Sequence, residues 1–413
     1  MKYIVIIGDG MADYPLPELG GKTPLAAASK PSMDELADRG IMGMVKTVPD
    51  RMPPGSDTAN LSVLGYDPQK YYSGRSPFEA VSMGIALTEA DITFRCNFVT
   101  LAKADAYASR VMLDHSAGEI TSEEAHELLL AVQNSLGTEE LVFYPGVSYR
   151  HLLVWKNGPD DWDLTPPHDI LERAIGPYLP AGPHAARIRD MMEESTSLLA
   201  DHPINRRRRE QGLNPANAIW IWGEGRKPAL LPFREKYGLR GGVISAVDLI
   251  KGIGICAGLE VIPVDGVTGN LDTNFEGKSQ AALTALAQGM DFVYLHVEAP
   301  DECGHRQERE NKIKAIEYID RRVLQPIRDG LEKTGTPYRL LILPDHATPL
   351  SVRTHTADPV PFLLYDSTGQ KQRSGLAFTE TDAAATGLFV AEGHRLMDIF
   401  LQQGGLNGGT III

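Results

Sequence analysis

Short apolar segments alternate with helical segments at both ends of the chain, and this alternation restricts the fold more than any other feature. Near the start, the apolar run Lys2–Ile7 precedes a predicted helix at Ser32–Asp38. Strands separated by helices pair in parallel, with helices on both faces of the sheet. The sequence therefore predicts an α/β fold with a mostly parallel sheet sandwiched by helices. In the C-terminal part, the predicted strands and helices alternate at Leu259–Val264, Ser279–Gln288, Phe292–Val297, Asn311–Arg328, Arg339–Leu343 and Phe362–Tyr365.

The middle of the chain has a different sequence pattern, with short strand-like runs, proline-rich breaks and one helical run. A length of 413 residues leaves room for two or three domains. We therefore predict a discontinuous domain formed by residues 1–90 and 242–413, and a smaller inserted α+β domain formed by residues 91–241.

The charge balance excludes several classes of partner. Lys and Arg number 40 and Asp and Glu number 54, so the formal net charge is −14. A nucleic-acid binder needs a basic face, and an anionic membrane attracts the same kind of surface. No apolar stretch approaches the ~18 residues of a membrane span. We expect neither a nucleic-acid nor a membrane partner, and the sequence leaves the oligomeric state open.

Cysteine usage favours a reducing compartment. Cys96, Cys256 and Cys303 are far apart and form no CxxC pair. The apolar run Tyr3–Ile7 is also too short for a secretory signal. A cytoplasmic protein is expected.

Residues that commonly bind metals follow three of the predicted strands. Asp9 follows the first strand, Asp301 and His305 follow the strand FVYLHV, and Asp345 and His346 follow the strand RLLIL. The carboxyl ends of strands in an open α/β sheet are where ligands bind. With His355 downstream, these carboxylates and imidazoles suffice for two divalent metals. Each residue alone could instead be a helix cap or a hydrogen-bonded polar residue, but the whole set favours metal.

Ser56 is the candidate nucleophile. It follows Gly55 in the segment PPGSDTAN, which is typical of a loop entering a helix. Free N–H groups at a helix N-terminus favour anions such as phosphate, although Ser56 could equally be an ordinary N-cap. No GxSxG elbow surrounds Ser56, so a hydrolase triad is not indicated. A serine beside two metals can be ionised and attack phosphorus.

Several motifs together resemble one family over essentially the whole chain. The chain resembles the cofactor-independent phosphoglycerate mutases of the archaeal type, which belong to the alkaline-phosphatase superfamily. The motifs are GDGMAD at 8–13, PGSDTANLSVLGYDP at 54–68, GRSPFEA at 74–80, HVEAPDECGH at 296–305, PDH at 344–346 and HTADPVPF at 355–362.

The resemblance implies a two-metal phosphatase-like domain with an inserted substrate domain. By analogy, one metal site comprises Asp9, Ser56, Asp345 and His346, and the other comprises Asp301, His305 and His355. Ser56 would take the phosphoryl group of 3-phosphoglycerate and return it as 2-phosphoglycerate, so the partner is a small phosphorylated substrate. Mn²⁺ is the expected metal, with Mg²⁺, Zn²⁺ or Co²⁺ also suited to such ligands.

Arginines of the inserted domain are expected to hold the carboxylate and phosphate of the substrate. Arg226 follows a glycine-rich turn and Arg150 lies beside His151, and we predict both as substrate ligands. The run 206–209 is interpreted mostly as a solvated face.

Two alternative functions stay open. Related bacterial sequences have been proposed as homoserine kinases, and GRSPFEAVSMGI at 74–85 is somewhat closer to that branch, although no standard nucleotide motif is present. The other alternative is a non-catalytic protein stabilised by metal, against which Ser56 argues because a structural site needs no nucleophile.

Overall fold

The computed structural model describes residues 1–369 and 373–401. The described chain divides into two compact units, one formed by residues 1–72 together with the described residues from 229 to 401, the other by residues 73–228. Among the described residues, no helix has both the length and the apolar character needed to cross a membrane.

The strands within the described ranges are β1 (Lys2–Gly8), β2 (Ile41–Val45), β3 (Ile92–Leu101), β4 (Met112–Asp114), β5 (Leu141–Tyr144), β6 (Arg150–Trp155), β7 (Ala218–Arg226), β8 (Gly241–Ile244), β9 (Glu260–Val261), β10 (Phe292–Val297), β11 (Tyr338–Leu343), β12 (Val360–Asp366) and β13 (Phe389–Val390).

The α-helices in the same ranges are α1 (Pro24–Ala27), α2 (Pro31–Arg39), α3 (Ser56–Val63), α4 (Pro68–Tyr71), α5 (Ser76–Ser82), α6 (Ser122–Leu136), α7 (Ala185–Ala200), α8 (Pro203–Glu210), α9 (Phe233–Tyr237), α10 (Asp248–Cys256), α11 (Phe275–Ala287), α12 (Ala299–His305), α13 (Arg309–Tyr318), α14 (Gln325–Lys333), α15 (Glu380–Ala385) and α16 (Leu396–Leu401). One π-helical segment, Ile319–Leu324, joins α13 to α14.

The first unit contains the predicted α/β sheet. Its strand order within the described residues is β13-β2-β12-β11-β1-β10-β8-β9. The central strand β1 pairs in parallel with both β10 and β11, while β12 is antiparallel to β11 and β2. Residues of β10 and β11 are buried throughout, as expected for strands covered on both faces. The prediction of a mostly parallel sheet is confirmed.

The second unit is built on an antiparallel sheet. The long strand β3 pairs with β4, β6 and β7, and β5 pairs with β6. Phe94, Cys96 and Phe98 lie on one face of β3 and are buried in the core of this unit. Helices α6 and α7 contribute to the same core, which makes this an α+β unit.

The boundaries of the units differ from the predicted 91–241. Helix α5 belongs with the second unit because Ser76 Oγ donates to the Thr93 carbonyl at 3.0 Å and Glu79 pairs with Arg95 at 3.0 Å. Residues 229–240 belong with the first unit, where the ring of Phe233 lies 4.4 Å from that of Phe292. That each unit folds as a domain of its own stays a prediction.

Several predicted elements also differ in extent, among them the single helix expected at Asn311–Arg328, which is α13, the π-helical segment and α14. The strand expected at Leu259–Val264 is only Glu260–Val261, at the edge of the sheet. The helix expected from Ser279 begins at Phe275, because the side chain of Asn274 caps it by accepting a hydrogen bond from Gly277 N.

Candidate metal centre and nucleophile

Adjacent strands bring the predicted ligands to one edge of the first sheet. Asp9 follows β1, and Asp345 lies two residues beyond β11. Helix α12, which carries Asp301 and His305, begins directly after β10. Because β1 is parallel to both β10 and β11, the three strands end on the same side.

The first group of side chains surrounds the imidazole of His346. Its Nε2 lies 3.4 Å from Asp9 Oδ1, 3.5 Å from Asp345 Oδ2 and 3.1 Å from Ser56 Oγ. Asp345 and His346 are wholly buried and Asp9 is 2% exposed. Three residues of this group, Asp9, Asp345 and His346, place ligand atoms within 4.8 Å of one another.

The second group lies around Asp301. Asp301 Oδ2 is 3.1 Å from His305 Nε2, and Oδ1 is 3.5 Å from His355 Nε2. The two imidazole Nε2 atoms are themselves 3.1 Å apart. Ligand atoms of Asp301, His346 and His355 also lie within 4.8 Å of one another, so His346 adjoins both groups. His305 and His355 are partly exposed, which leaves this side of the centre open to solvent.

The electrostatics of the centre suit a cation. Burial, together with the charges of Asp345 and Asp301, raises the pKa of Asp9 well above its ordinary value. Burial alone would also raise the pKa of Asp301, but hydrogen bonds from His305 and His355 hold it well below its usual range. Asp9 Oδ1 is buried and accepts no hydrogen bond from the described residues. Such a set of carboxylate and imidazole ligands fits divalent metals.

Ser56 is the first residue of α3 and does not act as its N-cap. The N-cap is Gly55, and no side chain caps the helix there, so the ordinary capping role considered for Ser56 is wrong. The Ser56 carbonyl instead accepts a hydrogen bond of 2.7 Å from Asn60 Nδ2. The hydroxyl is left to contact His346.

Known proteins share extensive sequence similarity with this chain. A family model described as 2,3-bisphosphoglycerate-independent phosphoglycerate mutase matches residues 37–205. A probable 2,3-bisphosphoglycerate-independent phosphoglycerate mutase from Geobacter sulfurreducens is 53% identical over 98% of this chain and 100% of its own length. The mutase of the same name from Methanosarcina barkeri is 50% identical over 97% of this chain and 100% of its own.

The chain belongs to the 2,3-bisphosphoglycerate-independent phosphoglycerate mutase family.

Solved structures confirm the predicted fold for this member of the mutase family. A cofactor-independent phosphoglycerate mutase from Thermoplasma acidophilum is 28% identical, with a TM-score of 0.67 over 98% of this chain and 100% of that one. A Pyrococcus horikoshii protein is 31% identical, with a TM-score of 0.80 over 98% of this chain and 99% of that one.

The two arginines predicted to bind substrate lie in the second unit. The guanidinium of Arg226 donates to Asp160 at 2.5 Å and to the carbonyl of Gly158 at 2.7 Å. Arg150 is exposed and lies over the ring of Tyr149. Arg226 therefore has a structural role in its unit, and substrate binding by either arginine stays a prediction.

A third arginine of this unit was not predicted as a substrate ligand. Arg95 on β3 is largely buried, pairs with Glu79 and lies 4.7 Å over the ring of Trp222. Arg208, in contrast, is the member of the 206–209 run that is buried, and it binds Glu124 at 2.6 Å.

Polar residues that contact the predicted ligands were also missed. Asn60 Nδ2 donates to Asp345 Oδ2 at 2.8 Å, and Tyr294 OH donates to Asn60 Oδ1. His296 Nε2 lies 3.0 Å from Asp9 Oδ2, and burial lowers the pKa of His296 to about 4. His296 is a polar residue inside an otherwise apolar strand, and that was the signal available in the sequence. Asn60 lies in a helix of mixed polarity, which gave no such signal.

Proposed function

We propose that this chain interconverts 3-phosphoglycerate and 2-phosphoglycerate without 2,3-bisphosphoglycerate, through a phosphoserine at Ser56. The observation that carries the proposal is the position of Ser56 Oγ, 3.1 Å from an imidazole that also lies within 3.5 Å of Asp9 and Asp345. Curated relatives of about half identity over their whole length, which are named as mutases of this kind, support the same reaction.

We further propose that two divalent cations bind this centre. One would be held by Asp9, Ser56, Asp345 and His346. The other would be held by Asp301, His305 and His355. When bound, such cations stabilise an ionised serine and the negative charge that develops on a transferring phosphoryl group. Mn²⁺ is the proposed metal, and Mg²⁺, Zn²⁺ and Co²⁺ suit the same ligands.

The residues of the chain account for the rest of the reaction. Ser56 Oγ loses its proton and forms a bond to phosphorus as the bond from phosphorus to the C3 oxygen of the substrate breaks, and the C3 oxygen takes up a proton and leaves as a hydroxyl. The N-terminus of α3 favours the phosphoryl group there, because its N–H groups and its dipole attract anions. Reorientation of the bound glycerate then presents its C2 oxygen, which takes the phosphoryl group from Ser56.

A coupled assay tests this proposal. Purified protein is supplied with Mn²⁺ and 3-phosphoglycerate, with no 2,3-bisphosphoglycerate, and 2-phosphoglycerate is consumed by enolase. We expect turnover that Ser56→Ala abolishes. Ser62→Ala is the matched control, because Ser62 lies on the same helix with a buried hydroxyl that has no hydrogen-bond partner among the described residues.

The kinase alternative is an outcome of the same experiment. Absence of mutase turnover, together with phosphorylation of homoserine by ATP, would overturn the proposal. The mutase relatives named above give the kinase no support. We propose the cytoplasm as the compartment, since Cys96, Cys256 and Cys303 are all free cysteines in the described part of the chain.

A further inference from the structure

Thr348 lies between the two proposed metal groups and contacts both. Its hydroxyl Oγ1 is hydrogen-bonded to Asp301 Oδ1 at 2.5 Å and lies 3.2 Å from His346 Nδ1. Thr348 and His346 are wholly buried, and Asp301 is 5% exposed. No other side chain in the described residues is hydrogen-bonded to both a carboxylate of one group and the imidazole of the other.

The single hydroxyl proton of Thr348 decides which group donates in each of its two contacts. A threonine hydroxyl has one proton and can donate only once, whereas a carboxylate only accepts. Thr348 therefore donates to Asp301. The remaining contact, to His346 Nδ1, requires the imidazole to be the donor and the threonine oxygen the acceptor. In a neutral His346 ring the proton is then on Nδ1, and Nε2 keeps the lone pair.

The lone pair of Nε2 is needed on the other side of the ring. Nε2 is the atom that faces Ser56 Oγ, Asp9 Oδ1 and Asp345 Oδ2. A neutral histidine can bind a metal or accept a proton only through its unprotonated nitrogen, and the partner of the other nitrogen decides which one that is.

The backbone around Thr348 is held on several sides. Its carbonyl accepts a hydrogen bond of 2.8 Å from the buried ammonium of Lys312, and its N–H donates to the Ala12 carbonyl at 3.3 Å. A Cβ at Gly304 would lie 2.8 Å from the methyl group of Thr348, so this methyl packs closely against α12. These contacts fix the direction of the hydroxyl.

Gly10 makes room for the same hydroxyl. Its φ is +59°, and a Cβ there would lie 2.5 Å from Thr348 Oγ1 and 2.6 Å from Asp301 Oδ1. A side chain at this position would therefore enter the space that the hydrogen bond occupies.

We propose that Thr348 is a positioning residue that sets the tautomer of His346 and links it to Asp301, so that both proposed metal groups are aligned by one hydroxyl. The metal-binding test of this inference rests on the proposed function, whereas the test of the His346 tautomer does not.

The first test is the tautomer itself. In metal-free protein labelled with ¹⁵N-histidine, two-bond ¹⁵N–¹H correlation spectra distinguish an Nδ1–H from an Nε2–H imidazole, and the His346 signal is assigned by its loss in His346→Asn. We expect the Nδ1–H form in the wild type and in Thr348→Ser, and a mixture or the Nε2–H form in Thr348→Val. An Nε2–H tautomer in the wild type would overturn the proposal, even if Thr348→Val failed to fold.

The second test is Mn²⁺ binding, measured by calorimetric titration of metal-free protein. Thr348→Val keeps the volume of the side chain but removes the hydroxyl, and we expect it to weaken Mn²⁺ binding about 10- to 100-fold. Thr348→Ser keeps the hydroxyl and should bind close to the wild type. Thr47→Val is the matched control, because Thr47 is buried with a hydroxyl that has no partner among the described residues.

The outcomes separate the two proposals. A wild type that binds Mn²⁺, with Thr348→Val binding equally well, would overturn the role of Thr348 and leave the mutase proposal intact. A wild type that binds no divalent metal would overturn the proposed metal centre, while the tautomer spectra would still decide the role of Thr348.

Discussion

The ion pair between Lys312 and Asp13 should be a main source of stability for the first unit. Lys312 Nζ lies 2.7 Å from Asp13 Oδ2, and both side chains are fully buried. Asp13 also accepts hydrogen bonds from the N–H groups of Tyr14 at 2.8 Å and Leu350 at 3.1 Å. Lys312 thus connects helix α13 to the loop that follows β1 and to the loop that follows β11.

Removing one member of such a pair leaves the other charge buried without its partner, which costs about 3–5 kcal/mol. We therefore expect Lys312→Met to lower the free energy of unfolding of the first unit by that amount. With a urea dependence of about 3 kcal/mol/M, the midpoint would fall by about 1 M or more. The double variant Asp13→Asn/Lys312→Met removes both charges and should recover part of the loss.

The assay must report on the first unit. All four tryptophans lie between residues 155 and 222, in the second unit, so their fluorescence does not serve. Amide hydrogen exchange of β1 and β11 in urea, on protein stripped of metal, measures the required quantity. A loss below about 1 kcal/mol for Lys312→Met would refute the reasoning, because it would mean that the pair is solvated in solution.

Three further predictions concern the centre and the second unit. The hydrogen bond that His305 donates to the Asp301 carboxylate raises the pKa of His305 to about 9 in the metal-free chain, and a bound metal must displace that proton. Mn²⁺ affinity measured by calorimetry should therefore rise with pH and level off only above about pH 9. Asn60→Leu removes a donor to a buried carboxylate of the centre and should lower kcat in the enolase-coupled assay about 10- to 100-fold, whereas an unchanged kcat would exclude a supporting role. Arg208→Met should lower the free energy of unfolding of the second unit by about 3 kcal/mol, as measured by tryptophan fluorescence in urea. Arg207→Met, at an exposed position, should change that free energy by no more than about 0.5 kcal/mol.

The positions of the principal site residues could be predicted from the sequence because they depend on simple topology. Asp9, Asp301 and Asp345 each follow an apolar strand closely, and parallel strands end at a common edge. The burial of those strands on both faces required long apolar runs, which are visible without any structure.

The supporting residues could not be predicted because they depend on contacts between distant segments. Lys312 lies in a helical run where a lysine is ordinarily solvated, and its burial follows from a loop about 300 positions earlier in the chain. Asn60 meets Asp345 across 285 positions. Neither pairing leaves a local pattern in the sequence.

The bounds of the second unit differ from the predicted 91–241 for a similar reason. The alternation of Phe94, Cys96 and Phe98 along β3 was available as a strand signal, but the attachment of α5 to that strand depends on the buried hydroxyl of Ser76 and the pairing of Glu79 with Arg95. These contacts are decided by packing rather than by composition.

The central claim is that Ser56 carries the phosphoryl group, and rapid-quench mass spectrometry tests it most directly. Protein with Mn²⁺ is mixed with 3-phosphoglycerate, quenched in acid during turnover and digested, and the peptide containing Ser56 is examined for phosphate. The account predicts phosphorylation at Ser56 that appears within the first turnovers and is absent from Ser56→Ala. Turnover with no phosphate on Ser56 at any quench time, or a phosphate found on another residue, would contradict it.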